Sequence, residues 1–157
     1  MSIMDCSEVL SELERFPERK FYGSASTEMI AQAQSTLGIR FPADYIDFLS
    51  KLGSGFASSE EFIGLGGPAH LNVVTVASRL REPSRLAVFP KELIPLRSDG
   101  FGNYDCINLS GSNDVDGTLV VLWVHDGGDH QDFEVIEHGY WEWFVNTLKM
   151  VKELDEE

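Results

Sequence analysis

Apolar residues in the first third of the chain recur at helical spacing. Cys6, Val9, Leu10, Leu13 and Phe16 follow the possible caps Asp5 and Ser7, and Pro17 stops the run. A second helix is predicted behind Ser26. Glu28 lies in its first turn, Met29, Ile30, Ala33 and Leu37 form its apolar face, and Gly38 terminates it. In the third, Pro42 suits the first turn, Tyr45, Phe48, Leu49 and Leu52 repeat at i, i+3, i+4 and i+7, and Gly53 follows as a left-handed cap. Beyond Glu61 the period changes. Glu61 to Leu65 reads as a short strand ended by Gly64, Gly66, Gly67 and Pro68. The run from Val73 to Val76 has strand propensity, yet Val73, Val76, Ala77 and Leu80 share one helical face behind Asn72, which favours a helix. Strands follow at Leu93 to Arg97, Asn103 to Leu109, Thr118 to His125 and Asp132 to Glu137, and a helix from about Tyr140 to Leu154 closes the chain.

Consecutive strands joined by short polar links predict an antiparallel meander, so the fold class is α+β: a single domain over 1–157, its sheet flanked by N-terminal helices and a C-terminal helix. Its core spans about 24–148, with an N-terminal helix in 1–20. The final helix carries two apolar stripes. Trp141, Phe144, Val145, Leu148 and Val151 form one, expected to pack on the sheet. Trp143, Met150 and Leu154 form a second, which needs a cover from the N-terminal helix, a second copy or a partner.

The length, 157 residues with 43% hydrophobic content, suffices for a real core and excludes a disordered tail. Charge changes the picture more. The formal net charge is -14, and residues 98–157 hold 14 acids against only Lys149 and Lys152. Binding to nucleic-acid phosphates or an anionic membrane is disfavoured, and a basic partner is the natural complement. Cys6 and Cys106 lack metal-ligand spacing and suggest neither a disulfide framework nor a zinc ribbon, which fits a reducing compartment. The acidic N-terminus does not read as a signal peptide, and no run of about eighteen apolar residues occurs, so a soluble, cytoplasmic protein is expected.

The chemical motifs favour their plainer readings. Gly64-Leu65-Gly66-Gly67-Pro68-Ala69 matches a dinucleotide-binding pattern, but three helices precede it where a parallel βαβ unit belongs, so a turn is expected. Asp114-Val115-Asp116-Gly117 resembles part of an EF-hand, yet Trp123 falls where a bidentate Glu is required. His125, Asp126, Asp129, His130 and Asp132 have the ligand types for zinc or manganese. Gly127 and Gly128 raise the cost of ordering such a site, so a solvated or partner-binding loop is expected, without metal. Cys106 has no basic sequence neighbour to activate it and reads as a packed thiol. No Gly-x-Ser-x-Gly elbow occurs, and no catalytic residue or cofactor site is assigned.

Three stretches carry a family likeness. TEMIAQAQSTLGIRFPADYIDFLSKLGSG, LIPLRSDGFGNYDCINLSG and GTLVVLWVHD, the last followed by a strand and a helix, together cover roughly 24–148. The order of these pieces resembles the SUKH superfamily, which takes in yeast cell-wall-synthesis regulators and many bacterial immunity proteins. Its Asp-Gly-x-Gly-Asn turn and Tyr-x-Cys strand are matched at Asp99, Gly100, Gly102, Asn103, Tyr104 and Cys106. Asn108 stands where the family commonly has Asp, and Gly53-Ser54-Gly55 replaces a more usual Asn-Gly pair. The resemblance implies a non-enzymatic immunity protein, a monomer or weak homodimer, that occludes a cognate basic toxin domain, commonly a nuclease. The alternative is an intracellular regulatory or adaptor protein with a host protein partner. Either way the expected partner surface comprises Asp99, Asp114, Asp116, Asp126, Asp129, Asp132, Glu134 and Glu137 in or beside the meander turns, with Trp143 on the second stripe.

Overall fold

The computed structural model describes residues 6–113, 117–128 and 130–155, without the side chains of residues 6 and 153–155. Helix α1 (Cys6–Leu13) leads into a short strand β1 (Arg19–Phe21). Helix α2 (Thr27–Leu37) starts where the Ser26 hydroxyl accepts the Met29 N–H, and it ends at Gly38 with φ of 67°. Both caps match the sequence reading. Helix α3 (Ala43–Lys51) begins after Pro42 and buries Tyr45, Phe48 and Leu49. Helix α4 (Val73–Leu80) resolves the helix-or-strand ambiguity: the Asn72 side chain accepts the Val74 and Thr75 N–H groups, and Val73, Val76, Ala77 and Leu80 are buried.

Two antiparallel sheets complete the α+β fold. The expected meander is present in the order β4 (Leu93–Ser98), β5 (Tyr104–Asn108), β6 (Leu119–Trp123) and β7 (Glu134–His138). The second sheet, β1-β2-β3, adds β2 (Gly55–Ala57) and β3 (Glu60–Phe62), and only the last was foreseen, as a longer run to Leu65. Its three-residue strands are rich in Arg, Lys, Glu and Gly, so no alternation marks them. The Ile63 N–H donates to the Leu96 carbonyl and joins the two sheets.

Glycines let the connecting chains touch backbone to backbone. A Cβ at Gly64 would lie 1.8 Å from the Gly53 carbonyl oxygen, and one at Gly53 would lie 2.1 Å from that of Gly23. The Gly64 N–H donates to Leu71 and that of Leu65 to Gly53, so these amides of the apparent dinucleotide motif are already used. This segment packs the fold.

The core centres on helix α5 (Tyr140–Asp155). Tyr140, Trp141, Trp143, Phe144, Val145, Thr147, Leu148 and Val151 are all buried, so its first turns are enclosed except along the strip that carries Glu142 and Asn146. Phe144 lies 4.4 Å from Phe62 and 5.8 Å from Phe48, ring centroid to ring centroid. The second apolar stripe is thereby corrected. Trp143 is 1% exposed, packs on Phe62 and donates its indole N–H to Asp105 at 3.0 Å, whereas Met150 is exposed and the Leu154 side chain lies outside the described residues. The unforeseen sheet supplies the wall that covers Trp143. Helix α1 also packs on α5, with Lys152 Nζ donating to the Arg15 carbonyl at 3.3 Å and lying over the Phe16 ring.

The start of α5 is held from α3. Gly139 accepts the Trp143 N–H and offers no side chain to cap the helix, so Asp44 does it across the fold, accepting the Tyr140 N–H at 2.9 Å and the Thr118 hydroxyl at 2.6 Å. One turn on, Asp47 accepts the Trp141 indole N–H at 3.1 Å. Asp44→Ala should therefore cost about 3 kcal/mol or more, since two hydrogen bonds to a charged acceptor are lost at about 1.5–3 kcal/mol each. Urea unfolding followed by Trp fluorescence checks this, and a loss under about 0.5 kcal/mol would show that the contact carries no weight.

Candidate functional site

The meander sorts the acidic loops by strand direction. Tyr104 pairs with Trp123 and Ser98 with Tyr104, so the end of β4, the start of β5 and the end of β6 lie at one edge of the sheet, and Glu134 pairs with Leu122 beside them. Asp99, Asp126, Asp132 and Glu134 belong to this end. Glu137 pairs with Val120 towards the other end, where its carboxylate accepts the Asn146 amide at 2.6 Å and the His138 N–H at 3.0 Å. The connection in which Asp114 and Asp116 fall also leaves from that far end, between Asn108 and Leu119. Asp114, Asp116 and Asp129 themselves lie outside the described residues. Trp143, buried in the core, is not part of any surface. The single expected face is thus divided, and one sheet end gathers Asp99, Asp126, Asp132 and Glu134.

The turn at 99–103 gives this end its shape. Asp99 Oδ1 accepts the backbone N–H groups of Phe101 and Asn103 at 2.7 and 3.1 Å, and Oδ2 accepts the Asn103 side-chain amide at 2.8 Å. Gly100 and Gly102 have φ of 85° and 97°, conformations that L residues rarely adopt. Asn103 then reaches the neighbouring strand. Its Oδ1 accepts the His125 backbone N–H at 3.1 Å and lies 2.8 Å from His125 Nδ1, which places the ring proton on Nδ1. A Cβ at Gly102 would come within 3.0 Å of that ring, so glycine leaves room for His125. The Asp-Gly-x-Gly-Asn motif is a clip that ties the β4–β5 turn to the end of β6.

Burial raises the Asp99 pKa, but the Phe101 and Asn103 donors and the nearby Arg97 charge outweigh it and hold the carboxyl below its usual range. Asp105, also in the acid-rich half, is buried and carries a different role. It accepts from Arg97 Nε at 3.1 Å as well as from Trp143, and Arg97 donates to Glu60 at 2.5 Å. This network ties β3, β4, β5 and α5 together and contributes no carboxylate to the surface. No local signal separates Asp105 from the loop acids, since its burial follows from Arg97 on the paired strand and from Trp143, 38 residues away.

Cys106 is fully buried and its thiol pKa is pushed well up, first by burial and then by the Asp105 charge, which matches the packed-thiol reading. Among the described residues no three His, Cys, Asp or Glu side chains converge as a metal site, and no helix is long and apolar enough to cross a membrane.

A family model described as SUKH_5, SMI1-KNR4 cell-wall, matches residues 6–149. The chain belongs to the SUKH family. A crystal structure of a protein from Pseudomonas syringae pv. tomato has the same fold: 20% sequence identity, a TM-score of 0.64, and coverage of 89% of this chain and 98% of that one. No curated protein matches the chain in sequence. The SUKH assignment takes in α1 and β1, which lie before the first stretch of the sequence resemblance.

Titration offers a direct check on the clip. Because the folded Asp99 pKa is depressed, its stabilisation is present above the unfolded value of about 3.9 and is lost as pH falls through the folded value. The Phe101 and Asn103 amide resonances should titrate together with a midpoint below about 3.9. Asp99→Asn should abolish that step, and a midpoint at or above the ordinary carboxylate value would refute the clip.

Proposed function

We propose that this SUKH protein is an immunity protein that acts in the cytoplasm by binding a basic toxin domain, a nuclease, and occluding its active cleft without chemistry. The observation that carries this reading is the gathering of Asp99, Asp126, Asp132 and Glu134 at one end of the sheet. Three of them, Asp126, Asp132 and Glu134, are exposed. The family includes immunity proteins. A nuclease cleft is cationic because it must hold phosphates, and a carboxylate end matches it in sign. Long-range attraction then orients the encounter and raises the association rate, while short-range fit sets the lifetime of the complex. The charge also disfavours the nuclease's own substrate as a competing partner, because phosphates are repelled from the same surface.

Co-expression with a basic toxin domain encoded beside the gene tests the reading: growth should be rescued, and the purified proteins should form a complex whose association slows as salt rises. Reversing Asp126 and Asp132 to Lys should lower the association rate about tenfold or more at low ionic strength and flatten its salt dependence. An unchanged rate and salt dependence would remove this end of the sheet as the binding surface. Failure to neutralise any such toxin, together with stable binding to a host protein, would favour the regulatory reading.

A further inference from the structure

The acidic end also carries apolar side chains with nothing to cover them. Leu86 is fully exposed, Phe101 is 82% exposed and Val88 is 46% exposed. A cavity of about 540 Å³ opens between the 85–88 segment and the His125 loop, lined by Arg85, Leu86, Val88, His125 and Asp126 among others. Phe101 stands on the neighbouring turn, whose Gly102 lies against the His125 ring. The backbone that carries Val88 and Phe101 is held in place. The Val88 carbonyl accepts the Trp123 indole N–H at 3.0 Å, and Phe89 packs edge-on to the same indole at 5.0 Å. Phe101 projects from the turn fixed by Asp99. Apolar groups at a pre-formed concave site, ringed by charge, bind at little ordering cost and are where interface energy concentrates.

We propose that this cavity, with Phe101 at its side, seats an apolar side chain carried on a cationic segment of the partner. The proposal rests on the reading that the partner is basic. The occupant is cationic because Asp126 lines the cavity and Asp99, Asp132 and Glu134 lie at the same end of the sheet, so carboxylates outnumber Arg85, the cation in the lining. A second copy of this chain docking here would set those carboxylates against their own counterparts. The acids then govern how fast the partner arrives, and Leu86, Val88 and Phe101 govern how long it stays.

Three synthetic octapeptides test this against the full chain by backbone amide NMR: a lysine peptide with two central leucines, the same peptide with central serines, and a glutamate peptide with the leucines. The first should shift the amides of Val88, Phe101, Gly102 and His125 and bind at least tenfold more tightly than the other two. Replacing Leu86 and Phe101 together by Ser should weaken it about tenfold with an unchanged thermal midpoint, since both side chains are exposed. Equal binding of the serine or glutamate peptide, or shifts confined to another surface, would overturn the proposal. So would a concentration-dependent dimer of the wild type that the double variant abolishes. Toxin rescue in co-expression is read separately, so loss of the peptide preference with rescue intact rejects only the apolar seat, and the converse rejects only the immunity function.

Discussion

Everything at the acidic end depends on a carboxylate near the opposite end. Asp44 caps α5 from a position 96 residues away in sequence and also holds Thr118, the residue before β6. The two bonds fix α3, the entry to the central strand of the meander and the start of the final helix relative to one another. Gly139 makes this necessary: with φ of 115° and no side chain, it turns the chain from β7 into α5 but leaves the first helical N–H groups to be satisfied elsewhere. Tyr140 is buried, so its N–H cannot turn to water for that purpose.

Once α5 is seated, the two sheets close over it, and the acids divide into two kinds. Asp44, Asp47 and Asp105 accept hydrogen bonds from distant backbone or indole N–H groups, and Asp105 also faces Arg97. Removing a partner of Asp105 leaves a charge stranded in a poor solvent, whereas Asp47, partly exposed, also pairs with Lys51. Among the described residues, the loop acids Asp126, Asp132 and Glu134 are exposed and enter no such network. Asp99 stands between the kinds, shaping its own turn while adding negative charge to the sheet end.

Local signals in the sequence were accurate where the local chain decides the outcome. Ser26, Gly38 and Asn72 cap helices because their side chains or backbone freedom act within a few residues, and apolar periodicity located α2, α3, α4 and the four strands of the meander. What depends on remote partners was not legible. The strands β1 and β2 are short, charged or glycine-bearing, and exist because they pair with one another and with β3. Without that sheet Trp143 had no visible cover and read as surface. Phe101 carried a usable clue, since an aromatic between two turn glycines has no role in forming the turn and is free to face outward.

The division of the acidic half follows from strand parity. In an antiparallel meander successive turns alternate between the two ends of the sheet, so acids adjacent in sequence but in successive connections are separated by a strand's length. The first and third connections, after β4 and after β6, share an end, and Asp99 and Asp126 meet there although 27 positions separate them. The second connection, with Asp114 and Asp116, leaves from the other end despite lying between them in sequence. A charge run in the chain is therefore a poor guide to a charged face in an all-antiparallel sheet. The Asn103 bonds to His125 supply the missing link, because they join the first connection to the third across the ends of β5 and β6 and make two separate turns into one surface.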